Sequence, residues 1–208
     1  MGFTVPGPGR FLASGHPDLR DDELVVEGKP ALLGLVESSD GLEWESVSLL
    51  GEADFHALEF VQGTIYGWFD DRFWVSANGE DWEQRSKVAI HDFAVDPADG
   101  DTVVASTEDG LTHSDDGGRS WRRIGTEPYT VLSWEAGTLF GASPDGTVAA
   151  SQDDGATWQR RGALKGLVEA LLATDDTVFA AVSGEGIFRS DNGGATWHHV
   201  VATGEGDH

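Results

Sequence analysis

The chain has 208 residues, with 37 acidic and 13 basic side chains and a formal net charge of −24 at pH 7. A protein that binds nucleic acid through its phosphates needs a basic stripe, so this charge excludes that class and disfavours anionic membranes. No apolar run is long enough for a transmembrane helix, so no membrane insertion is expected. The absence of cysteine excludes disulfides and thiol chemistry.

The acid excess, with lysine only at Lys29, Lys87 and Lys165, suggests a halophilic protein. At about 1 M salt the Debye length is about 3 Å, which screens the self-repulsion of such a chain. Residues 1–10 lack a basic region followed by an apolar core, so we expect no signal peptide and a soluble protein. The compartment stays open, and it would be extracellular if a leader had been removed.

The predicted elements are short β-strands, rich in β-branched and aromatic residues and separated by Gly, Asp and Pro. No segment has the sustained 3.6-residue periodicity of a helix, so almost no helix is expected. In chain order the predicted strands fall into five groups of four: 2–5, 10–14, 31–38 and 44–49; 56–60, 64–68, 73–76 and 82–86; 92–95, 102–106, 110–114 and 121–124; 130–134, 138–142, 147–151 and 158–161; and 167–172, 177–182, 186–190 and 197–202.

A motif, S-x-[DN]-x-G-x-[ST]-W, joins the third and fourth strand of each group. It is complete at 114–121, 151–158 and 190–197, and one residue shorter at 38–44 and 76–82. Its acid or amide can accept hydrogen bonds from the turn, Gly allows positive φ, and Trp can pack beneath the turn. The acid or amide and Trp pairs are Asp40 and Trp44, Asn78 and Trp82, Asp116 and Trp121, Asp153 and Trp158, and Asn192 and Trp197. The spacing does not match a twelve-residue calcium loop and lacks its closing Glu, so a structural role is preferred over Ca²⁺ binding.

Four-stranded repeats of about 40 residues are typical of a β-propeller. We therefore predict an all-β, five-bladed propeller of antiparallel blades in one domain, 1–202, with a disordered tail at 203–208. The blades are expected at about 1–50, 51–87, 88–125, 126–162 and 163–202. Closure is expected between the first and fifth repeats, with no strand exchanged.

These motifs and strands resemble the BNR, or Asp-box, repeat family, which includes sialidases and other glycoside hydrolases, sortilin-type receptors and photosystem assembly factors. Segments 9–18 and 50–58 are most similar to bacterial and archaeal proteins labelled glycosyl hydrolase or exo-α-sialidase-like. In that group another blade commonly precedes this starting point, so the resemblance implies a shortened member and a six-bladed ancestor.

Sialidases of this family use three Arg, a Tyr with a Glu partner and an acid Asp, with one Arg in an Arg-Ile-Pro motif. That motif is absent, and Tyr66 and Tyr129 are the only tyrosines. The paired arginines 122–123 and 160–161 fall in predicted fourth strands, at the outer rim of a blade. Sialidase chemistry is therefore disfavoured, and nothing in the sequence selects the carboxylate pair that another glycosidase would need.

The candidate ligand site comes from positions where the repeats differ. Alignment on the second strands places His56, His91, Thr130 and Glu169 near the start of the first strand, which lines the channel of a propeller. The connection 15–30 is long and acidic, either functional or a halophilic surface insertion. It brings His16 and Asp18 to the same face. These side chains could bind a metal ion or a polar ligand, or merely hold channel water.

The sequence thus favours a non-catalytic binding or scaffold module whose protein or glycan partner contacts the channel mouth and the long first-repeat loop. No cofactor is expected apart from a possible metal ion at the mouth. A glycan hydrolase of the sialidase-like kind and a structural subunit of a larger assembly remain the alternatives.

Overall fold

The computed structural model describes residues 1–18 and 24–202. By contacts the chain divides into two compact units, Met1–Ala89 and Ile90–His208. The first contains two four-stranded antiparallel sheets and the second contains three. The predicted fold class, a five-bladed β-propeller of four-stranded antiparallel blades, is confirmed, and the described residues include no α-helix.

In the first unit each blade consists of four consecutive strands. Blade 1 contains β1 (Phe3–Gly7), β2 (Arg10–Ala13), β3 (Leu35–Ser38) and β4 (Glu45–Ser48). Blade 2 contains β5 (Ala57–Val61), β6 (Thr64–Phe69), β7 (Arg72–Ser76) and β8 (Glu83–Lys87).

In the second unit the three blades have the same strand order. Blade 3 contains β9 (Asp92–Asp96), β10 (Asp99–Thr107), β11 (Gly110–Ser114) and β12 (Arg122–Arg123). Blade 4 contains β13 (Val131–Glu135), β14 (Thr138–Ala142), β15 (Thr147–Ser151) and β16 (Gln159–Ala163). Blade 5 contains β17 (Val168–Thr174), β18 (Thr177–Val182), β19 (Gly186–Ser190) and β20 (His198–Val201).

The core lies between neighbouring blades within each unit, because alternate strand residues point to opposite faces of a sheet. In the first unit, Leu12 and Leu35 of blade 1 pack against Phe55 and Ile65 at blade 2. In the second unit one cluster joins blades 3 and 4 and another joins blades 4 and 5. A blade therefore covers its apolar face with the next blade rather than with a helix.

Several predicted strand boundaries differ from the observed ones, most clearly at the fourth strands and at the third strand of blade 1. The fourth strands begin after the motif Trp, at Glu45, Glu83 and Gln159 in blades 1, 2 and 4. The predicted third strand 31–38 shortens to Leu35–Ser38 because Gly34, with φ of 63°, bridges to Asp54 instead of continuing the strand. The predicted disordered tail 203–208 lies outside the described residues.

Candidate functional site

The five motif turns are built by the same hydrogen bonds. In blade 4 the Ser151 hydroxyl donates to Asp153 Oδ1 at 2.8 Å and accepts from the Gly155 N–H, while Asp153 accepts from the backbone and hydroxyl of Thr157. The same serine-to-acid or serine-to-amide bond occurs at Asp40, Asn78, Asp116 and Asn192. The Asp and Asn side chains of the motif thus take part in the hydrogen bonds that stabilise the turns.

The motif tryptophans contribute packing. Trp82 stacks on Phe55 with ring centroids 4.6 Å apart, and Trp158 packs on Tyr129 at 4.4 Å. Trp197 packs in the cluster between blades 4 and 5. Trp44 and Trp121 are half-buried after the turns of blades 1 and 3.

The opposite end of the strands in the first unit holds a cluster centred on Asp54. This residue precedes β5, and its carboxylate is buried, with 4% of the residue exposed. Asp54 Oδ2 lies 3.2 Å from His56 Nε2 and 3.5 Å from His16 Nδ1. Asp54 Oδ1 is buried and has no hydrogen-bond partner. The Asp54 cluster, defined as His16, Asp54 and His56, therefore joins two exposed imidazoles to a half-satisfied buried carboxylate.

Sequence reasoning singled out His16 and His56 but missed Asp54. The two histidines are 40 positions apart in sequence, and the structure brings them to one oxygen. The His56 ring also packs edge-on against Trp68, with centroids 5.8 Å apart, which orients it. Asp18 is exposed in the same connection as His16.

The other predicted ligands lie in the second unit. His91 precedes β9 and is exposed, and its N–H donates to Ser106 O. The same bond is made by the N–H of His56 to Trp68 O and by that of Thr130 to Ala142 O, so these three positions are structurally equivalent. Glu169 is exposed on β17, at a register shift between Val168 and Ala170. Across residues 1–18 and 24–202, no group of three or more His, Asp or Glu has an arrangement that could hold a metal ion.

A second polar feature is a cleft of about 280 Å³ in the second unit. It lies between the β13–β14 and β17–β18 turns, next to Gly193 of the last motif turn. Glu135, Asp175 and Asp176 line it. The cleft is acidic and lies at the motif-turn end of these blades.

Asp92 and His113, in the second unit, have pKa values that burial shifts from their usual range. Burial raises the pKa of Asp92 from 3.8 to about 7, although its carboxylate accepts a 2.8 Å bond from the Leu132 N–H of the next blade. Burial, followed by the charge of Arg122, lowers the pKa of His113, whose Nδ1 is buried without a partner. Both groups lie inside the scaffold, where they act on stability.

No family model matches the chain, and no curated protein matches it. Among solved structures it is similar to a chain of a nidogen/laminin complex, at 11% identity over 94% of this chain and 77% of that one, with a TM-score of 0.72. It is also similar to YCF48 bound to a D1 peptide, at 14% identity over 96% and 66% of the chains, with a TM-score of 0.58.

A third similar structure is the GH74 enzyme of Niastella koreensis, at 16% identity over 96% of this chain and 31% of that one, with a TM-score of 0.60. The chain spans less than a third of the length of the GH74 structures it matches. At these identities the likeness establishes the propeller fold, which glycoside hydrolases and protein-binding propellers share. The described residues contain no helix long and apolar enough to span a membrane.

Proposed function

We propose that this protein is a non-catalytic β-propeller binding module of the Asp-box type, and that a protein partner contacts it at the Asp54 cluster. The observation that carries the proposal is the buried Asp54 carboxylate, which has one oxygen shared by two imidazoles and the other without a donor.

A buried carboxylate oxygen without a donor is costly, because the group has lost water and gained nothing in return. A partner that supplies an N–H donor recovers that cost on binding. His16 and His56 are more than half exposed, so a partner can contact both rings from solvent. The chain's net charge of −24 attracts cations over a long range. A lysine or arginine side chain of a protein partner fits these requirements.

The Asp-box assignment is supported by the five motif turns. Each has a serine hydroxyl bonded to an Asp or Asn side chain, which in turn accepts backbone N–H bonds. An acid or amide occupied in this way is a scaffold group, so the binding function falls to positions that do not repeat.

The test uses N-acetyl-lysine-methylamide, which presents one cationic side chain, and follows the imidazole signals of His16 and His56 by NMR. We expect saturable shifts that disappear in Asp54→Asn and persist in Asp175→Asn, which removes an equal charge from the second unit. The ε-acetylated ligand, which lacks the charge, should produce no shifts. Equal loss in both variants would reduce the effect to net charge and refute the site.

A glycan hydrolase is the second candidate, favoured by the cleft that Glu135, Asp175 and Asp176 line. A two-carboxylate mechanism needs two of these groups about 5–10 Å apart across the scissile bond. Turnover of fluorogenic glycosides that is lost in Glu135→Gln, while Asp54→Asn retains it, would replace the binding module with this function.

A further inference from the structure

The chain has two asparagines, and each lies in a motif turn directly before a glycine. The pairs are Asn78–Gly79 in blade 2 and Asn192–Gly193 in blade 5, whereas the other three motif turns have Asp at this position. An Asn-Gly pair can deamidate, because glycine has no Cβ to obstruct attack of its backbone nitrogen on the asparagine side chain. The motif therefore contains two potential reaction sites in one chain.

The two asparagine side chains are held alike. Asn78 Oδ1 accepts the hydroxyl of its motif serine at 3.2 Å, and Asn192 Oδ1 does so at 2.9 Å. Each Oδ1 also accepts a backbone N–H of its own turn at 2.9 Å, and each Nδ2 donates to a side chain of that turn. We therefore expect a difference in reactivity to come from the glycine and not from the asparagine side chain.

The two glycines differ at the nitrogen that would react. Gly79 is buried, and its N–H donates to the Ser76 hydroxyl at 2.8 Å. In the longer turn of blade 5 the next residue, Gly194, takes this role and donates to the Ser190 hydroxyl at 2.9 Å. Gly193 is only partly buried, and its N–H has no hydrogen-bond acceptor among the described residues. Its proton can therefore be lost to solvent without breaking a hydrogen bond.

Arg161 of blade 4 lies against the peptide group that would react. Its Nη2 donates to Asn192 O at 3.3 Å, and its Nε donates to Gly193 O at 3.0 Å. Loss of the Gly193 proton places negative charge on Asn192 O, because that oxygen and the nitrogen share one conjugated peptide group. A guanidinium at this oxygen stabilises the anion. Within the described residues, Asn78 O accepts no such bond.

We propose that Asn192–Gly193 is a deamidation site and that the fold protects Asn78–Gly79. The deprotonated Gly193 nitrogen bonds to Asn192 Cγ, the Cγ–Nδ2 bond breaks, and Nδ2 takes up a proton and leaves as ammonia. The resulting succinimide ring then reacts with water. Opening at Cγ gives aspartate, and opening at the Asn192 backbone carbonyl carbon gives isoaspartate. Either product adds one negative charge to blade 5.

The motif turn of blade 4 shows that the aspartate product fits. Asp153 Oδ1 accepts the Ser151 hydroxyl and the Thr157 N–H, each at 2.8 Å, which are the bonds that Asn192 Oδ1 accepts in blade 5. Asp153 Oδ2 accepts the Thr157 hydroxyl, whereas Asn192 Nδ2 donates to the Thr196 hydroxyl. Rotation of one hydroxyl group therefore accommodates the carboxylate. Isoaspartate lengthens the backbone by one carbon and should loosen the turn.

Peptide mapping by mass spectrometry tests the proposal on the folded full chain, kept at about pH 7 to 9. Conversion at Asn192 should be about tenfold faster than at Asn78, since a hydrogen bond to the attacking nitrogen corresponds to about that factor. The rate should rise with pH, because the deprotonated nitrogen reacts. In urea, where both turns are unfolded, the two rates should become similar.

Variants test the guanidinium and identify the product. Arg161→Gln should slow conversion at Asn192 several-fold, and Arg160→Gln, at the exposed neighbouring position, should leave it unchanged. Asn192→Asp should show no mass change in that peptide, and it supplies the reference that separates aspartate from isoaspartate in chromatography.

Equal conversion of Asn78 and Asn192 in the folded chain would overturn the proposal. An Asn192 that stays intact in the folded chain, while the chain in urea converts at both positions, would overturn it as well. A rate in Arg161→Gln no lower than in Arg160→Gln would refute the activation by the guanidinium.

Discussion

Replacing Asp92 tests how a buried carboxylate couples blade 3 to blade 4. Asp92 begins β9, is half-buried, and accepts the Leu132 N–H. Burial raises its pKa from 3.8 to about 7. The folded chain therefore keeps a proton that the unfolded chain releases above pH 4. The stability this group contributes is complete below about pH 4 and is lost as pH rises through about 7.

The magnitude follows from the shift. The pKa of Asp92 rises by about three, and at about 1.36 kcal/mol for each pKa unit this gives an upper bound of about 4 kcal/mol on the change in stability. Because Asp92 keeps some contact with solvent, we expect about 2 kcal/mol. Asp92→Asn retains a carbonyl oxygen for the Leu132 N–H and removes the titration. Relative to wild type, the free energy of unfolding of Asp92→Asn should therefore rise by about 2 kcal/mol from pH 4.5 to pH 8.

Urea unfolding at several pH values in 1 M KCl measures this gain, because the salt screens the repulsion of the remaining acids. Asp101→Asn, an equal charge change at an exposed position, should follow the wild-type curve. If the difference in free energy of unfolding between Asp92→Asn and wild type changed by less than about 0.5 kcal/mol over this pH range, the argument from burial would be refuted.

Four further predictions concern the scaffold. Trp82 Nε1 donates to Ser48 Oγ and Gly79 O, whereas Trp197 Nε1 is buried without a partner. Trp82→Phe should therefore cost about 1–2 kcal/mol more than Trp197→Phe in urea unfolding, and equal costs would contradict this. A Cβ at Gly162 of blade 4 would overlap the Gly194 carbonyl oxygen of blade 5, so Gly162→Ala should cost about 1–3 kcal/mol by forcing blade 5 away, whereas Val201→Ala, at an exposed position, should cost less than about 0.5 kcal/mol. Hydrogen bonds led by that from Ser120 lower the pKa of Asp116 to about 2, so its stabilisation is lost as pH falls from about 4 to 2. Asp116→Asn should flatten the circular-dichroism acid transition in that range, and an unchanged transition would contradict it. The melting temperature should rise between 0.1 and 2 M KCl, and a flat response would reject salt adaptation.

The repeat made the blades predictable because local chemistry specifies them. A strand ending in Ser, then an acid or amide, Gly and Trp, builds its turn from contacts within eight residues. Strand order follows from hairpin connections, so the sequence determined the pairing of β13 to β16 without tertiary information.

The start of β3 was not predictable in the same way. The segment before Leu35 is apolar and reads as strand, but Gly34 donates its N–H to Ala53 O and Leu33 donates to Gly15 O. These partners lie in connections, which carry no repeat signal. Only the folded chain shows that the segment is held across the end of blade 1.

Asp54 was missed for the same reason, and its position strengthens the functional argument. His56, His91 and Thr130 occupy equivalent positions in their blades. The residues two places before them, Asp54, Ala89 and Pro128, are therefore equivalent as well. Blades 3 and 4 therefore fold with a small or apolar residue where blade 2 buries a carboxylate. The next position is apolar or aromatic in all three blades, as the packing of Phe55 on Trp82 requires.

The fold thus explains Phe55 and leaves Asp54 without a structural purpose. A buried carboxylate with an unsatisfied oxygen lowers stability relative to the Ala or Pro that the other blades use. Asp54→Ala should therefore stabilise the free protein in urea unfolding while abolishing the response of His16 and His56 to the lysine ligand. If Asp54→Ala instead destabilised the chain, Asp54 would belong to the scaffold, and the binding proposal would lose its principal support.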